Sequence, residues 1–176
     1  PEGEFMCGSH SKRRSEFDAS GGRSAFWKPL AADVVNLIWS LSKNRENVIV
    51  FGEIIGPKVQ DMAYGLTSPK MLAFDISVNG KYVDFDQQKS LFDSFGVETV
   101  PILYRGPFSK EVVSKFTDGP TTLCDPGKAG KFKGREGIVI RPVRERYSPK
   151  LPNYGRVILK SISIDYLERK GGSEYH

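Results

Sequence analysis

The pattern of apolar and polar residues predicts three strands that each carry a charge among aliphatic neighbours. They are residues 48–56 (VIVFGEIIG), 135–142 (REGIVIRP) and 156–163 (RVILKSIS). Strand side chains alternate between two faces, so Glu53, Glu136 and Lys160 each share a face with apolar residues. The neighbours expected on those faces are Ile49, Phe51 and Ile55; Ile138 and Ile140; and Ile158 and Ile162. An unpaired charge on a half-buried face is costly, which indicates a cleft where the charges meet a ligand or a metal.

The other elements follow from helical spacing and turn residues. A short strand is expected at residues 4–8, and helices at residues 34–43, 86–95 and 109–116. Asp33 is expected to cap the first of these helices, Gly96 to stop the second, and Ser109 to begin the third.

A fourth strand is predicted at 71–78, with Leu72, Phe74, Ile76 and Val78 on one face. The Asn79–Gly80 pair is a strong hairpin signal, and its partner strand is expected at 81–85. Strands outnumber helices and are joined mostly by hairpins and loops. The fold class is therefore expected to be α+β, with antiparallel sheets and short flanking helices. No repeat or linker divides the chain, which predicts a single domain over residues 1–176.

Composition narrows the class of protein. The chain has 176 residues and is 39% hydrophobic, which suits one globular domain. It has no stretch of 18 apolar residues and no apolar segment near its start, so neither a membrane span nor a signal peptide is expected. Two cysteines and two histidines do not make a disulfide framework or a ligand cluster. A reducing, cytoplasmic setting and a monomer are expected.

The net charge of +5 is unevenly spread. Residues 126–150 contain only two acidic residues, Glu136 and Glu145. Their basic residues are Lys128, Lys131, Lys133, Arg135, Arg141, Arg144, Arg146 and Lys150. Such a block suits a polyanion, either nucleic acid or a nucleotide phosphate tail, and a solvated basic loop is the plain alternative.

Six segments, in this order and spacing, resemble the adenylation domain of phage and bacterial ATP-dependent RNA ligases. They are GSHSKRR (8–14), FWKP (26–29), VFGEIIGPKVQ (50–60), MLAFDI (71–76), REGIVIRP (135–142) and VILKSIS (157–163). These ligases belong to the covalent nucleotidyltransferase superfamily, which also includes DNA ligases and mRNA-capping enzymes. The resemblance implies an ATP-grasp-like adenylation fold, with ATP and Mg²⁺ or Mn²⁺ as cofactors.

The resemblance implies a role for each matching residue. Glu53 would accept hydrogen bonds from the ribose, Gly52 would allow close approach of the ligand, and Phe74 would stack on adenine. Glu136 would hold the metal, and Lys160 would neutralise the α-phosphate during catalysis. The residues implied to contact RNA or its terminal phosphate are His10, Lys12, Arg13 and Arg141.

The family's nucleophile is a lysine in a Lys-x-Asp/Asn/His-Gly motif, which belongs upstream of residue 8. The sequence KFTDG at 115–119 is one residue too long and falls out of order. The chain is therefore expected to be an N-terminally truncated adenylation domain, inactive alone. Its parent would join RNA 5′-phosphate and 3′-hydroxyl ends. A DNA ligase or capping-type enzyme and a non-catalytic nucleotide- or RNA-binding module remain alternatives.

Overall fold

The structure, a computed structural model, describes residues 4–9, 11–44, 46–57, 59, 62–153 and 155–169. The chain divides into two compact units. The first unit consists of Pro1–Ile55 and Ser68–Val100, and the second of Gly56–Thr67 and Pro101–His176. No helix among these described residues is long and apolar enough to cross a membrane.

The first unit contains two antiparallel sheets and two helices. Its elements are β1 (Cys7–Ser9), β2 (Lys12–Arg14), α1 (Ala32–Leu41), a 3-10 turn (Ser42–Asn44), β3 (Val48–Ile55), β4 (Lys70–Val78), β5 (Lys81–Tyr82) and α2 (Phe85–Phe95). Strands β1 and β2 pair with each other, and β4 lies between β3 and β5. The expected α+β class with antiparallel sheets is confirmed.

An apolar cluster holds the first unit together. Helices α1 and α2 and strand β4 contribute Val34, Leu37, Ala73, Ile76 and Phe92, and Val97 follows α2. Val48 and Val50 of β3 pack against this cluster, so one side of the sheet faces the core. Each fully buried aliphatic or aromatic side chain stabilises such a core by about 1.5–3 kcal/mol.

The helix ends match the predictions in part. Helix α2 ends at Gly96, whose φ of 69° lies in the left-handed region that glycine tolerates, as predicted. Helix α1 begins two residues before its predicted start, so the prediction that Asp33 caps it is wrong. Ala31 occupies the capping position, and the Asp33 carboxylate lies in the first turn, where it suits the positive end of the helix dipole.

The pairing of β3 with β4 contains a β-bulge. Phe51 lies opposite Asp75, but the next residue, Gly52, lies opposite Ala73. Phe74 is therefore the extra residue of β4 at the bulge. A bulge of this kind redirects side chains and changes their alternation along the strand.

The prediction that Phe74 and Ile76 share a face is wrong, and the bulge is the physical reason. Ile76 is fully buried, and Ala73 also lies in the core. The two are three positions apart, so a regular strand would place them on opposite faces. Phe74 is 37% exposed instead. Its carbonyl accepts a hydrogen bond of 2.7 Å from Nε2 of Gln88, a buried residue of α2.

The second unit has a two-stranded antiparallel sheet and short helices. Its elements are α3 (Lys110–Thr117), a 3-10 turn (Pro126–Lys128), β6 (Gly137–Ile140), β7 (Leu159–Ile162) and α4 (Ile164–Leu167). The helix predicted at residues 109–116 lies one residue further along, and Ser109 is its N-cap, because its side chain accepts a hydrogen bond from the Val112 amide. Thr117 at the end of α3 is joined to Ser161 of β7 by a hydroxyl–hydroxyl contact of 2.7 Å.

Candidate functional site

In the first unit, an aromatic group lies on the sheet face opposite the core. The Phe51 and Phe74 rings stack with centroids 6.5 Å apart and an interplanar angle of 27°. The centroid of the Tyr82 ring, on β5 at the far side of β4, lies 5.5 Å from that of Phe51. Since Phe74 keeps part of its surface exposed, this group offers an accessible π-surface on which a flat ring can stack.

Glu53 lies on the same face of β3 as Phe51, because the two are two positions apart along the strand. The expectation that this face is half-buried and apolar is wrong: Glu53 is exposed, and Ile49 is 44% exposed. The reason is that Val48 and Val50 face the core, which leaves the alternate positions outside. The carboxylate therefore reaches solvent without the cost of burial.

Gly52 lies between these side chains and is required by the strand itself. A Cβ at this position would come within 2.9 Å of the Leu72 carbonyl oxygen and would overlap the side chain of Met71. Leu72 and Met71 both belong to β4, next to the bulge. The structure thus shows a close approach of the two strands at Gly52, and the close approach of a ligand there stays a prediction.

In the second unit, the Glu136 carboxylate lies among tyrosines. The Tyr64 hydroxyl donates to Oε1 of Glu136 at 3.3 Å. Tyr64 is buried and adopts a φ of 50°, which is uncommon for a residue other than glycine. Burial, followed by the negative charge of Glu136, raises the pKa of the Tyr64 hydroxyl, so this donor stays protonated.

Tyr166 of α4 is the second tyrosine near this carboxylate. Burial and then the charge of Glu136 raise the pKa of its hydroxyl as well. The guanidinium of Arg169 lies 3.5 Å from the centroid of the Tyr166 ring. The Glu136 carbonyl accepts a 2.9 Å hydrogen bond from the amide of Ser163, which starts the same helix. Side chain and backbone of Glu136 are therefore both held in place.

Gly137 follows Glu136 and brings β6 close to β7. Its φ is 144°, and a Cβ there would lie 2.9 Å from the Cα of Ile162 and would overlap the Ser161 carbonyl. A side chain at this position would push β6 away from β7 beside the carboxylate. Sequence analysis did not single out Gly137, although its place directly after Glu136 was a usable signal.

Lys160 is exposed on β7, directly opposite Val139, which is 60% exposed. Its neighbours on that face, Ile158 and Ile162, are 40% and 39% exposed, so the predicted apolar burial of this face is wrong. Helix α3 covers the other face of the small sheet, through Thr117 and Ser161. Lys160 also lines a shallow pocket of about 400 Å³ together with residues of α3, but Glu136 does not line it.

The predicted RNA-contacting residues have different surroundings. Lys12 and Arg13 are exposed on β2, and Arg13 forms an ion pair with Glu4. Arg141 is 14% exposed at its side chain and lies 3.9 Å from Glu145. His10 lies outside the described residues.

Comparison with known families places the chain. A model of the family described as RNA ligase matches residues 3–162, which is most of the sequence. The chain belongs to the RNA ligase family. A comparison with curated proteins finds no significant match.

Solved structures of Naegleria gruberi RNA ligase share this fold. A variant with AMP and Mn matches with a TM-score of 0.63 and 22% identity, over 93% of this chain and 47% of that one. A variant with ATP and Mn has a TM-score of 0.60 and 23% identity, over 93% and 46%. The same ligase with PPi matches with a TM-score of 0.60 and 23% identity, over 93% and 47%. This RNA ligase family member thus spans about half the length of those proteins.

The Glu136 carboxylate of this RNA ligase family member is a hard oxygen donor, which suits Mg²⁺ or Mn²⁺, and the hydroxyls of Tyr64 and Tyr166 lie near it. Among the described residues, no three His, Cys, Asp or Glu side chains lie close enough to form a metal cage. Mg²⁺ is usually held by one or two carboxylates, water and substrate phosphates. A single carboxylate with phenolic oxygens nearby fits that mode of binding.

Sequence analysis missed the residue that supports Phe74. Gln88 occupies the buried stripe of α2 four residues before Phe92, where an apolar residue is expected. An amide on such a stripe signals a buried polar partner, which here is the carbonyl at the bulge.

Proposed function

We propose that the chain is the adenylation domain of an ATP-dependent RNA ligase. The parent enzyme joins RNA 5′-phosphate and 3′-hydroxyl ends through lysyl-AMP and RNA-adenylate intermediates. The observation that carries this proposal is the family match over residues 3–162, which includes Glu53, Glu136 and Lys160. Solved RNA ligases of similar fold that were captured with ATP or AMP and Mn support the choice of cofactors.

The first unit supplies groups for the nucleoside. Phe74 stacks on adenine through its exposed ring, braced from behind by Phe51. The Glu53 carboxylate accepts hydrogen bonds from the ribose hydroxyls. Gly52 keeps the two strands in register beneath these groups, because any side chain there would displace β4.

The second unit supplies groups for the phosphates. The exposed ammonium of Lys160 neutralises the α-phosphate as negative charge develops on it. A divalent metal, when bound, adds positive charge to the same phosphates. Tyr64 and Tyr166 orient the Glu136 carboxylate that would hold this metal, since both are buried and face it.

The nucleophilic lysine is the one group that these 176 residues do not supply. None of their lysines lies in a Lys-x-Asp/Asn/His-Gly sequence. Lys115 of KFTDG lies in the last turn of α3, where a cation suits the helix dipole. We expect the chain to bind ATP but not to form the covalent lysyl-AMP intermediate by itself.

Two measurements on the purified chain test this proposal. Titration calorimetry with ATP and Mg²⁺ should show binding, and Glu53→Ala or Lys160→Ala should weaken it at least about tenfold, the loss expected for a charge-assisted contact. Lys81→Ala, an exposed lysine of β5, is the matched control and should bind ATP as the wild type does. Intact mass after incubation with ATP should show no AMP adduct.

Three results would contradict the proposal. An AMP adduct would show that a lysine of this chain is the nucleophile. Absence of ATP binding would remove the nucleotide site altogether. Equal affinity of the wild type, Glu53→Ala and Lys160→Ala would mean that these residues do not contact the nucleotide.

The absence of the lysine motif from these residues also favours a second candidate, a non-catalytic nucleotide- or RNA-binding module. The two candidates differ in one respect, the presence of the lysine motif in the complete protein. Joining of 5′-phosphorylated RNA by the complete protein would support the ligase. ATP and RNA binding without any joining would support the module.

A further inference from the structure

The connection between β6 and β7 folds back on itself. Residues 141–157, here called the basic hairpin, run out from β6 and return to β7. The Ser148 amide donates to the Gly155 carbonyl at 3.0 Å, and the Val157 amide donates to the Arg146 carbonyl at 3.0 Å. These two hydrogen bonds join the outgoing and returning segments outside the named strands.

The charge of this hairpin is strongly one-sided. Between residues 137 and 164 the sequence contains a single acidic residue, Glu145. The basic residues in the same interval are Arg141, Arg144, Arg146, Lys150, Arg156 and Lys160. The position of Glu145 therefore decides whether any negative charge reaches the hairpin surface.

The side chain of Glu145 is buried, and its carboxylate points into the hairpin, where it meets arginine side chains. Its side chain is only 6% exposed. Arg156 donates to it through two bonds, Nε to Oε2 at 2.7 Å and Nη2 to Oε1 at 2.6 Å. The Nη2 atom of Arg141 lies 3.9 Å from Oε1. A bidentate pair of this kind fixes both position and orientation, so Glu145 joins the two ends of the hairpin from inside.

The residues on either side of Glu145 behave in the opposite way. Arg144 and Arg146 are exposed, and so is Lys150 near the tip. Within the part of the chain that the structure describes, no ion pair involves these three cations. The charged side chains that the described part of the hairpin exposes to solvent are thus all positive, which favours binding of a phosphate backbone.

We propose that the basic hairpin is an RNA-backbone-binding arm in which Arg144, Arg146 and Lys150 contact phosphates and Glu145 is a positioning residue. This inference rests on the proposed function and specifies how that function engages RNA. It also changes the role of Arg141, which the sequence interpretation assigned to RNA. Arg141 braces the arm from within, and its exposed neighbours make the contacts.

The first experiment measures RNA binding as a function of salt. Fluorescence anisotropy with a labelled, 5′-phosphorylated single-stranded RNA gives the affinity of the full chain at several KCl concentrations. The double variant R144Q/R146Q should reduce the slope of log K against log [KCl] by about 1.4, since each phosphate contact to a single strand contributes about 0.7. The double variant K81Q/K89Q removes two exposed lysines of the first unit and is the charge-matched control.

The slope of the control should stay at the wild-type value. An unchanged slope in R144Q/R146Q, or an equal reduction in K81Q/K89Q, would overturn the arm. Titration calorimetry with ATP and Mg²⁺ on the same samples separates this inference from the proposed function. If R144Q/R146Q loses RNA binding and keeps ATP binding, the result supports both the arm and the proposed function. If the wild type binds ATP but no RNA, the result overturns the arm alone.

If Glu145 positions the hairpin, its loss should weaken RNA binding, which is the opposite of the effect that net charge alone would have. E145Q raises the net charge by one, which by itself favours RNA. We expect weaker RNA binding and faster hydrogen exchange at the Val157 amide, because Arg141 and Arg156 lose the carboxylate between them. Stronger binding with unchanged exchange would overturn the positioning role, and R144Q/R146Q still tests the contacts if E145Q fails to fold.

Discussion

The two units of this RNA ligase family member are stabilised in different ways. In the first unit, two helices and the β3–β4–β5 sheet enclose an apolar cluster that includes the fully buried Leu37, Ile76 and Phe92. In the second unit, specific polar contacts join the elements, such as the Glu145–Arg156 pair and the Tyr64–Glu136 hydrogen bond. Several apolar side chains of its strands remain exposed.

Apolar packing and polar contacts differ in how strictly they depend on the identity of each residue. Apolar packing depends on the size and spacing of side chains, so many sequences can satisfy it. A buried polar pair depends on one named partner, and the loss of either member leaves the other unsatisfied. The candidate catalytic carboxylate Glu136 and the basic hairpin both belong to the unit built from such pairs.

The largest effect is expected from breaking the apolar cluster. Phe92→Ala should lower the free energy of unfolding by about 4 kcal/mol, because it removes a fully buried ring and leaves a cavity. Urea unfolding followed by circular dichroism measures this change. Phe17→Ala in the same unit truncates a ring that is 56% exposed, and its effect should stay within about 0.5 kcal/mol. Similar losses for the two variants would contradict the assignment of the core.

A slightly smaller loss is expected from breaking the polar support of the second unit. Glu145→Gln should cost about 3 kcal/mol, because it leaves Arg156, whose side chain is only 12% exposed, without its counter-charge. Arg156→Gln should cost a similar amount, and the double variant should cost clearly less than the sum of the two. Urea unfolding of all four proteins gives the coupling. Simple additivity would show that the pair is not a structural unit.

The smallest effect concerns Tyr64 and depends on pH. Burial and the Glu136 charge raise the pKa of Tyr64 above its unfolded value of about 10. Its contribution is therefore fully present below about pH 10 and is lost as the pH rises through the folded pKa. Tyr64→Phe should cost about 1 kcal/mol at pH 8 and should reduce the loss of stability above pH 10.

Thermal unfolding in metal-free buffer between pH 8 and 11 measures this pH dependence. Tyr104→Phe, at a residue that is 42% exposed, is the control and should follow the wild type. Parallel pH profiles for the wild type and Tyr64→Phe would mean that the Tyr64 hydroxyl does not stabilise the fold.

The sequence predicted best what apolar periodicity controls. Strand β3 spans Val48–Ile55, within one residue of the predicted 48–56, and α2 ends at the predicted Gly96. The Asn79–Gly80 turn also lies where it was predicted, with φ values of 51° and 78°. Each of these features depends on residues close in sequence, so a local pattern carries the information.

The contacts around the candidate site could not be predicted, because they join distant residues. Tyr64 and Glu136 are 72 residues apart, and the sequence around either residue does not indicate the other as its hydrogen-bond partner. The exposure of Glu53 and Lys160 depends on which face of each strand the helices cover, which alternation alone does not decide. The roles of the individual site residues stay predictions until the binding measurements are made.

The β-bulge at Phe74 affects how the sequence of β4 should be aligned with other members of the family. Side chains of β4 alternate between the two faces of the sheet on both sides of the bulge, but the alternation shifts by one residue at the bulge. An ungapped alignment that matches core positions such as Ile76 will assign residues 70–73 to the opposite side of the sheet in any relative with a regular strand. A one-residue gap placed at position 74 restores the equivalence, and its presence identifies the relatives that share this irregularity.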